Sequence, residues 1–478
     1  MAGSPDMEKL TSLCKRRGFV FQSSEIYGGI NGFWDYGPLG AELKRNIRQS
    51  WWRDVVQRRE NVVGLDASII MHPRVWEASG HLSGFADPMV DCRACKKRYK
   101  ADGFCEEQGL KLIRTDAGFQ LPPGVKCQAC GSLELTEPRS FNLMFKTFVG
   151  PVQDESAVAY LRPETAQGIF ADYANVLATS RQKVPFGIAQ IGKAFRNEIN
   201  PKNYTFRSRE FEQMELEFFV KPGTDREWHE TWVADRMAWY AAIGLPADSL
   251  GQDVYAKEDL AHYASACVDI TYRFPFGVQE LEGIAARGCF DLSRHQEFSG
   301  KSMEYFDPDT NEKYIPHVVE PSAGVDRIAL ALLCEAYAEE WVGKGGESGA
   351  AEILPAEPGK PAPQGYEART VMRFHPAMAP VKVAVFPLVK NKPELVAKAR
   401  EIFTGLQRRW PCAWDQTGAI GRRYRRQDEI GTPLAVTVDF DTLENGTVTV
   451  RDRDTMRQER ASADTLAETI AARIEAGD

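Results

Sequence analysis

The sequence predicts an α/β (α+β) protein of several domains, and three observations carry this prediction. The chain has 478 residues, enough for about three domains of ordinary size. Residues 193–219 hold two runs in which charged and apolar side chains alternate around a polar turn, which predicts paired strands. From about residue 380, β-branched runs alternate with a segment of helical spacing, which predicts a separate α/β domain.

The composition excludes several classes of protein. Hydrophobic residues make up 43% and charged residues 26% of the chain, so a wholly disordered protein is excluded. The net charge of −8 means that a nucleic-acid partner would have to be met by local basic patches. No apolar run approaches the length of a membrane span, and the N-terminus lacks a signal peptide's apolar region. We therefore expect a cytoplasmic protein without a membrane partner.

The segment GFWDYGPLGAELKRNIRQSWWRDVV, near the N-terminus, predicts a loop that ends at Pro38 and then a helix. Leu43, Ile47 and Trp51 are spaced four apart and share one face of that helix. For these three residues alone, packing against a core is the simplest explanation.

Residues 91–131 contain five of the ten cysteines and predict a small inserted module. Ten cysteines in a chain without a secretion signal indicate thiols or metal ligands, not disulfides. Cys92 and Cys95, like Cys127 and Cys130, have the two-residue spacing of a tetrahedral zinc site. The stretch between the two pairs exceeds the usual spacing, so reduced thiols or a site that has lost its metal are the alternatives. Cys105 could compete as a ligand.

The two strands predicted within residues 193–219 have unlike faces. Side chains alternate across a strand, so Arg196 and Glu198 are expected to point the same way. In the second strand, one face carries Arg209, Phe211, Gln213, Glu215 and Glu217. The other carries Glu210, Glu212, Met214, Leu216 and Phe218 and turns apolar. A solvated sheet face with cross-strand ion pairs would explain the charges, whereas arginines beside an aromatic ring would also suit a nucleotide.

A third segment, IPHVVEPSAGVDRIALALL (315–333), predicts a strand that ends near Glu320, a turn, and a helix. Arg327 falls in the first turns of this helix, where a cation opposes the helix dipole. An ordinary strand-to-helix connection is one explanation, and contact with a phosphate or a carboxylate is the other.

Two later segments differ in composition. Residues 343–365 are rich in Gly, Pro, Ala and Glu, which predicts a flexible linker or an exposed loop. In the predicted C-terminal domain, GRRYRR (421–426) places four arginines around a tyrosine. That pattern suits phosphate contact and base stacking, but it is equally typical of a solvated basic loop.

Taken in order, these segments resemble the three signature motifs of class II aminoacyl-tRNA synthetases. The first is GFWDYGPLGAELKRNI with Pro38, the second is FRNE with REFEQMELEFF, and the third is GVDRIALALL. LRPETAQGIF (161–170), ELEGIAARGCFDLSRH (280–295) and EPSAGVDR (320–327) are similar to segments of the bacterial glycyl-tRNA synthetase family of single-chain, dimeric type. The resemblance covers nearly the whole chain.

The resemblance implies four parts of the chain. Residues 1–90 and 132–342 would form the class II catalytic domain, a mixed and mainly antiparallel sheet flanked by helices. Residues 91–131 would be the Cys-rich insertion and possible zinc module, and residues 343–379 a linker or insertion. Residues 380–478 would form an α/β anticodon-binding domain. A homodimer with contacts around Pro38 is expected.

The implied activity attaches glycine to its tRNA in two steps. ATP and glycine would give glycyl-adenylate and pyrophosphate, and the glycyl group would then pass to the 3′-terminal adenosine of tRNA(Gly). The implied cofactors are Mg²⁺ with ATP and structural Zn²⁺ at Cys92, Cys95, Cys127 and Cys130.

The resemblance assigns Arg196 to the α-phosphate and the glycine carboxylate, and Arg327 to the γ-phosphate, as the two catalytic residues. Glu198 would read the adenine amino group, Phe211 would stack on the ring, and Arg207 would hold the β- and γ-phosphates. The full expected ATP site is Arg196, Asn197, Glu198, Phe206, Arg207, Ser208, Arg209, Glu210, Phe211, Glu280, Leu281, Gly324, Val325, Asp326 and Arg327.

The expected glycine site surrounds the ammonium with carboxylates and blocks the space beyond Cα, which disfavours larger side chains. Since no amino acid is smaller than glycine, no editing domain is expected. By resemblance, the glycine site comprises Arg98, Glu164, Phe211, Glu212, Gln213, Met214, Glu215, Arg287, Glu320, Pro321, Ser322, Ala323 and Gly324.

Three other functions compete with this one. A non-catalytic relative of a synthetase would be expected to lack Arg196, Glu198 or Arg327, and all three are present. A class II ligase for threonine or proline would share the motifs but should lack EPSAGVDR and the Glu215 cluster. A pure RNA-binding module would leave the expected catalytic residues unexplained.

Overall fold

The computed structural model describes residues 6–115, 118–258, 260, 264–343 and 351–474. A large sheet with helices packed against it is followed by a smaller sheet toward the C-terminus. Within these ranges, no helix has both the length and the apolar character needed to cross a membrane.

The helices are α1 (Met7–Arg17), α2 (Pro38–Trp52), α3 (Pro73–Ala78), α4 (His81–Gly84), α5 (Ala101–Glu106), α6 (Ala166–Ser180), α7 (Asp225–Ala242), α8 (Phe290–Ser299), α9 (Val325–Ala336), α10 (Pro393–Gln407), α11 (Ile420–Asp428), α12 (Phe440–Asn445) and α13 (Leu466–Ile474). Short 3₁₀ turns occupy Glu25–Tyr27 and Glu155–Ala157, and a π-helical turn, Arg53–Gln57, follows α2.

The strands are β1 (Val20–Gln22), β2 (Trp34–Tyr36), β3 (Val62–Gly64), β4 (Ile70–Met71), β5 (Ala86–Asp91), β6 (Arg98–Lys100), β7 (Ile113–Thr115), β8 (Gly118–Gln120), β9 (Arg139–Asn142), β10 (Lys146–Phe148), β11 (Val158–Leu161), β12 (Phe186–Phe195), β13 (Glu210–Val220), β14 (Leu250–Val254), β15 (Ala266–Phe274), β16 (Gly277–Gly288), β17 (Tyr305–Asp307), β18 (Glu312–Tyr314), β19 (His317–Gly324), β20 (Tyr337–Gly343), β21 (Ile353–Pro355), β22 (Tyr366–Met372), β23 (Val383–Pro387), β24 (Cys412–Trp414), β25 (Leu434–Val438), β26 (Thr447–Asp452) and β27 (Gln458–Ser462).

The main sheet has seven strands in the order β14–β15–β16–β19–β13–β12–β3. Its neighbours pair antiparallel, except that β12 and β3 are parallel. Helices α2, α7 and α9 supply apolar side chains to the core beside this sheet. The predicted mixed, mainly antiparallel sheet flanked by helices is confirmed.

Helix α2 follows the pattern that predicted it. Pro38 occupies its first turn, where a missing N–H costs no hydrogen bond. Leu43, Ile47 and Trp51 are all buried in the core, so the packing expectation for these three side chains is confirmed.

Strands β12 and β13 form the antiparallel pair expected from residues 193–219, with Phe195 opposite Glu210. One detail differs from the prediction. Strand β12 ends at Phe195, so Arg196 and Glu198 lie in the connecting loop and not on a strand. The backbone N–H of Arg196 still bonds the carbonyl of Arg209, which anchors the start of the loop to the next strand.

The predicted turn after Glu320 is absent, because β19 continues through Pro321 and Ser322 to Gly324. This segment pairs with β13 on one side and β16 on the other. Helix α9 then begins directly at Val325. Strand β19 therefore places Glu320 and Ser322 on one face at the centre of the main sheet, and α9 starts directly after it.

The segment expected to be a linker is partly a sheet. Residues 344–350 lie outside the described residues, but β21 falls between 351 and 365, and β22 follows it. Both strands pair antiparallel with β20. Of the two alternatives predicted for 343–379, the pairing of β21 and β22 in a three-stranded sheet favours an insertion over a linker.

The C-terminal sheet has the order β24–β23–β25–β26–β27, with the first three strands parallel. Helix α10 is the predicted segment of helical spacing, and it packs on the sheet through Leu395, Ala399 and Leu406, with Ile402 partly buried beside them. A separate α/β unit at this end of the chain is therefore confirmed.

The GRRYRR segment lies on α11 and is more buried than either sequence interpretation implied. Arg423 is buried and donates hydrogen bonds to the carbonyls of Pro387 and Gly418. The Tyr424 hydroxyl pairs with Thr437, and Arg426 forms an ion pair with Asp415. Arg423, Tyr424 and Arg426 therefore make contacts within the domain, and the half-buried Tyr424 ring is not exposed for stacking on a base.

Candidate active site

A cavity of about 350 Å³ opens on the face of the main sheet where β13, β16 and β19 lie side by side. Its lining divides into a carboxylate-rich end and an arginine-rich end. The carboxylate end holds Glu164, Glu215 and Glu320. The arginine end holds Arg196, Arg207 and Arg327 together with Phe206 and Phe211.

Glu215 is the carboxylate that β13 presents to the cavity floor, and it is only 3% exposed. Ser322 donates a hydrogen bond of 2.7 Å to its Oε1, and Gln213 donates one of 3.1 Å to the same atom. Thr165 donates to Oε2. Burial raises the pKa of Glu215, and the charge of Glu164 adds to this. Three uncharged donors therefore fix the orientation of the Glu215 carboxylate.

Glu320 and Arg287 form a buried ion pair at the same end. Arg287 Nη1 lies 2.9 Å from Glu320 Oε2, and its Nε lies 2.8 Å from Asp291 Oδ2. Burial raises the pKa of Glu320 to about 7, although the guanidinium of Arg287 opposes the shift. Arg287 therefore serves two carboxylates at once and cannot neutralise the whole cluster.

Glu164 is held at both oxygens. Gln167 donates a hydrogen bond of 3.0 Å to Oε1, and His81 Nε2 lies 3.4 Å from Oε2. Burial alone would raise the pKa of Glu164, but His81 and then Arg287 outweigh it and hold that pKa below its ordinary value. These contacts therefore favour the ionised form of Glu164.

Glu217 lies behind the cavity lining and is 0% exposed. Neither of its carboxyl oxygens has a hydrogen-bond partner among the described residues. Burial, and then the charge of Glu320, raises the pKa of Glu217 well above its ordinary value. An unpaired buried carboxylate is costly, so burial favours the neutral form of Glu217 behind the pocket.

At the arginine end, aromatic rings hold the guanidinium groups in place. Arg196 lies 5.3 Å from the ring of Phe211 and 5.4 Å from that of Phe85, and its Nε donates to the carbonyl of Pro163. Arg327 lies 4.4 Å over the ring of Phe206. Stacked, planar cations of this kind suit phosphate oxygens.

Beneath the arginine end, the first turn of α9 is tied to α2. Lys44 Nζ lies 2.8 Å from Asp326 Oδ1 and 3.0 Å from Glu212 Oε2, and all three groups are buried. Asp326 also accepts the backbone N–H of Glu212. These contacts fix the helix turn that carries Arg327.

The structure brings most of the predicted residues to this one cavity. From the expected ATP site, the cavity lining includes Arg196, Glu198, Phe206, Arg207, Ser208, Phe211, Glu280, Leu281, Gly324, Asp326 and Arg327. From the expected glycine site, it includes Glu164, Phe211, Gln213, Glu215, Arg287, Glu320, Ser322, Ala323 and Gly324.

Other predicted residues do not line the cavity: Asn197, Arg209, Glu210 and Val325 of the ATP set, and Arg98, Glu212, Met214 and Pro321 of the glycine set. Strand alternation explains Glu212 and Met214, which point to the opposite face, where Glu212 pairs with Lys44 and Arg48. Arg98 lies on β6 with a 68% exposed side chain and pairs with Asp91.

Arg209 and Glu210 have local roles instead. Arg209 donates to the backbone carbonyls of Glu198 and Asn31, so it holds the loop between β12 and β13 in shape. Glu210 forms an exposed ion pair with Lys193 across the two strands.

Sequence reasoning missed several residues that support the cavity. Thr165 and Gln167 lie within LRPETAQGIF, which was recognised only as a block, and Asp291 lies in the similar segment 280–295. A polar side chain within a helical or apolar run is the sequence feature that could have identified these three residues. His81 gave no signal, because its partner Glu164 is distant in sequence.

The four cysteines of the insertion come together outside this cavity. The Sγ atoms of Cys92, Cys95, Cys127 and Cys130 all lie within 4.8 Å of one another. The Sγ atoms of Cys92 and Cys130 are 3.7 Å apart, and those of Cys95 and Cys127 are 3.5 Å apart. A tetrahedral site with zinc–sulfur bonds of about 2.3 Å requires sulfurs about 3.8 Å apart, so the cluster fits zinc. Cys105 is buried in the small core of the module and is not part of the cluster.

Comparison with family models agrees with the fold and the cavity. Residues 145–337 match the tRNA synthetase class II core domain (G, H, P, S and T), and residues 382–473 match the anticodon binding domain. The fold and the site thus define a class II aminoacyl-tRNA synthetase with an anticodon-binding domain.

Full-length relatives narrow the class. A glycine–tRNA ligase from Thermobifida fusca is 52% identical over 477 residues, which cover 99% of each chain. One from Treponema denticola is 53% identical over 455 residues, which cover 95% of this chain and 94% of the relative. One from Acetivibrio thermocellus is 50% identical over 470 residues, 96% of each chain. The chain belongs to the glycine–tRNA ligase family.

Proposed function

We propose that this protein attaches glycine to tRNA(Gly) in two steps that both use the cavity on the main sheet. In the first step, a carboxylate oxygen of glycine attacks the α-phosphorus of ATP, and pyrophosphate leaves. In the second, a hydroxyl of the 3′-terminal adenosine attacks the acyl carbon, and AMP leaves. The observation that carries the proposal is that one cavity contains both a carboxylate cluster and the arginines Arg196, Arg207 and Arg327.

The carboxylate end supports a small cationic ligand. Glu164, Glu215 and Glu320 each have fixed orientations and can surround the glycine ammonium. Their partners fill the space around them, so a side chain on the substrate Cα would meet buried polar groups. We assign glycine selection to this end of the cavity.

The arginine end supports a nucleotide triphosphate. Arg196 of the arginine end also reaches toward the carboxylate end, because its Nε donates to the carbonyl of Pro163, the residue before Glu164. It can therefore contact both the glycine carboxylate and the α-phosphate. Arg327 and Arg207 can hold the outer phosphates. Phe211 can stack on the adenine, and Glu198 can accept a hydrogen bond from the adenine amino group. Attack at phosphorus requires positioning and neutralised charge more than acid–base catalysis.

We assign Mg²⁺ to Glu280, which lines the cavity, and to Asp269 on the neighbouring strand β15. A Cβ placed on Gly283 would lie 3.4 Å from Asp269 Oδ1 and 3.8 Å from Glu280 Oε1, so both carboxylates face the space beside this glycine. Burial and the nearby charge of Glu280 raise the pKa of Asp269 to about 6. Mg²⁺ bound with ATP would supply charge neutralisation on the phosphates.

Three further features belong to the proposal. We assign structural Zn²⁺ to the cluster of Cys92, Cys95, Cys127 and Cys130, because its four sulfurs have the required spacing. We assign anticodon contact to the domain that follows residue 380, on the basis of the family match. We also propose a cytoplasmic homodimer, as the resemblance to the single-chain, dimeric type implies.

Glycine-dependent exchange of labelled pyrophosphate into ATP tests the first step, and charging of tRNA(Gly) transcripts tests the second. Exchange with glycine, and none with threonine or proline, is the expected result. Exchange driven by another amino acid would show that the carboxylate end has been assigned to the wrong substrate. Exchange without charging would restrict the enzyme to the first step.

A further inference from the structure

His81 lies outside the residues assigned so far and faces one of the pocket carboxylates. Its Nε2 lies 3.4 Å from Glu164 Oε2, and its Nδ1 lies 2.8 Å from the hydroxyl of Ser79. The imidazole is mostly buried, 5.6 Å from the ring of Trp76 and 5.2 Å from that of Phe85. Both ring nitrogens therefore have defined partners in a restricted space.

The neighbours of His81 determine where its proton lies. A carboxylate oxygen can only accept a hydrogen bond, so the Glu164 side favours a proton on Nε2. The Ser79 hydroxyl can either donate to Nδ1 or accept from it, so it is compatible with the neutral and the cationic ring. In both forms, a proton on Nε2 can lie between His81 and Glu164 Oε2, 3.4 Å away.

The second oxygen of Glu164 is held by a different chain of contacts. Gln167 donates to Glu164 Oε1 and also, at 3.1 Å, to Asp291 Oδ1. Asp291 in turn holds Arg287, the partner of Glu320. Removal of His81 would leave Glu164 anchored at one oxygen only and free to rotate toward Gln167.

The same short segment also reaches the arginine end of the cavity. The ring of Phe85 lies against His81 on one side and 5.4 Å from the guanidinium of Arg196 on the other. Asn142 donates to the backbone carbonyls of His81 and Leu82, so the segment is tied to the end of β9. The position of the imidazole is thus set by the fold and not by the ligand.

We propose that His81 is a positioning residue for glycine, which acts by holding Glu164 Oε2 through Nε2–H so that this carboxylate faces the substrate ammonium. The inference rests on the proposed function of the cavity. The proposed role concerns the binding of glycine and not of ATP. His81 is linked to the residues assigned to ATP through the ring of Phe85, which lies against Arg196.

Two substitutions separate the hydrogen bond from the packing of the ring. His81→Phe keeps an aromatic ring between Trp76 and Phe85 but has no N–H for Glu164. His81→Gln loses the ring contacts but offers an amide N–H of similar reach. His72→Gln is the matched control, because His72 lies in the same stretch of chain, is exposed, and accepts the backbone N–H of Arg74 at the start of α3.

The measurement is steady-state pyrophosphate exchange with glycine and ATP varied separately, together with thermal unfolding. For His81→Phe we expect the KM for glycine to rise at least about tenfold, the range for loss of a partner that orients a ligating group. The KM for ATP and the melting temperature should stay close to those of the wild type. His81→Gln should recover most of the glycine KM, and His72→Gln should match the wild type.

Two results would overturn the inference. The first is a His81→Phe enzyme with an unchanged glycine KM, or with glycine and ATP affected equally. The second is a His81→Gln enzyme that is worse than His81→Phe, which would mean that the ring contacts matter and the hydrogen bond does not. Either result leaves the proposed function intact if the wild type shows glycine-dependent exchange. A wild type without such exchange would overturn both.

Discussion

Arg287 and Glu320 form a buried ion pair in which Nη1 lies 2.9 Å from Oε2, and Arg287 also binds Asp291. The planar fork of arginine can serve two carboxylates, which the single ammonium of lysine cannot do in the same geometry. Arg287→Lys should therefore fold but misplace Glu320, and the KM for glycine should rise about tenfold or more. Exchange kinetics with varied glycine measure this, and an unchanged KM would contradict the assigned role of the pair.

The pKa of Glu320, raised by burial to about 7, predicts a pH dependence of glycine binding. Below pH 7 the carboxyl is mostly neutral and attracts the ammonium weakly, so the glycine KM should fall as the pH rises from about 6 to 8. Glu320→Gln should lose this dependence on pH while the KM for ATP is unaffected. A wild-type glycine KM that is flat across this range would mean that Glu320 is ionised throughout.

The same shift affects stability with a definite sign. Because the pKa of Glu320 is higher in the folded than in the unfolded state, the folded protein binds the extra proton between these two values. The contribution of Glu320 to the free energy of unfolding should decrease as the pH rises from about 4.5 to 7. Denaturant unfolding of the wild type and of Glu320→Gln across this range measures it. The variant should lack this component of the slope.

Glu215 is oriented by hydrogen bonds from Ser322, Gln213 and Thr165. Glu215→Ala removes a carboxylate from the pocket and should abolish glycine activation while the fold is retained. Glu215→Gln is the sharper variant, because it keeps the shape and removes the charge. If Glu215→Gln activates glycine as the wild type does, its negative charge has no part in binding the ammonium.

Much of the site was predictable because its residues are close in sequence. The face of β13 that carries Phe211, Gln213 and Glu215 follows from strand alternation, and so does the exclusion of Glu212 and Met214. The resemblance assigns each motif as a continuous block, and the members of a block that do not line the cavity remain predictions. In such a block, residues of both strand faces were assigned to the same ligand.

The remaining parts depend on contacts distant in sequence. The pairing of His81 with Glu164 joins elements 83 residues apart, and Lys44 lies 282 residues from Asp326. Neither local periodicity nor charge patterning encodes such pairs. The same is true of GRRYRR, where the arginine spacing indicates exposure but the buried carbonyls of Pro387 and Gly418 attract Arg423 inward.

Lys44 is expected to matter for stability more than for chemistry. It is buried and pairs with Asp326 and Glu212, so Lys44→Met would leave buried Asp326 without its cation and Glu212 with Arg48 alone. The free energy of unfolding should fall by about 3–5 kcal/mol, as for other broken buried ion pairs. The control is Lys9→Met, since the Lys9–Glu339 pair is exposed and its loss should change stability far less. Equal effects of the two substitutions in denaturant unfolding would contradict this prediction.

The cysteine cluster predicts about one zinc ion per chain in purified protein. Cys130→Ser should remove the metal, because Cys130 supplies one of the four sulfurs. Cys105→Ser is the matched control and should retain it, because Cys105 lies in the core of the module, away from the cluster.

Elemental analysis measures the metal, and thermal unfolding with and without a chelator measures its effect. Since the cluster lies outside the cavity, a chelator should lower the stability of the insertion before it changes the KM for glycine. Metal content far below one per chain in the wild type would remove zinc from the proposal.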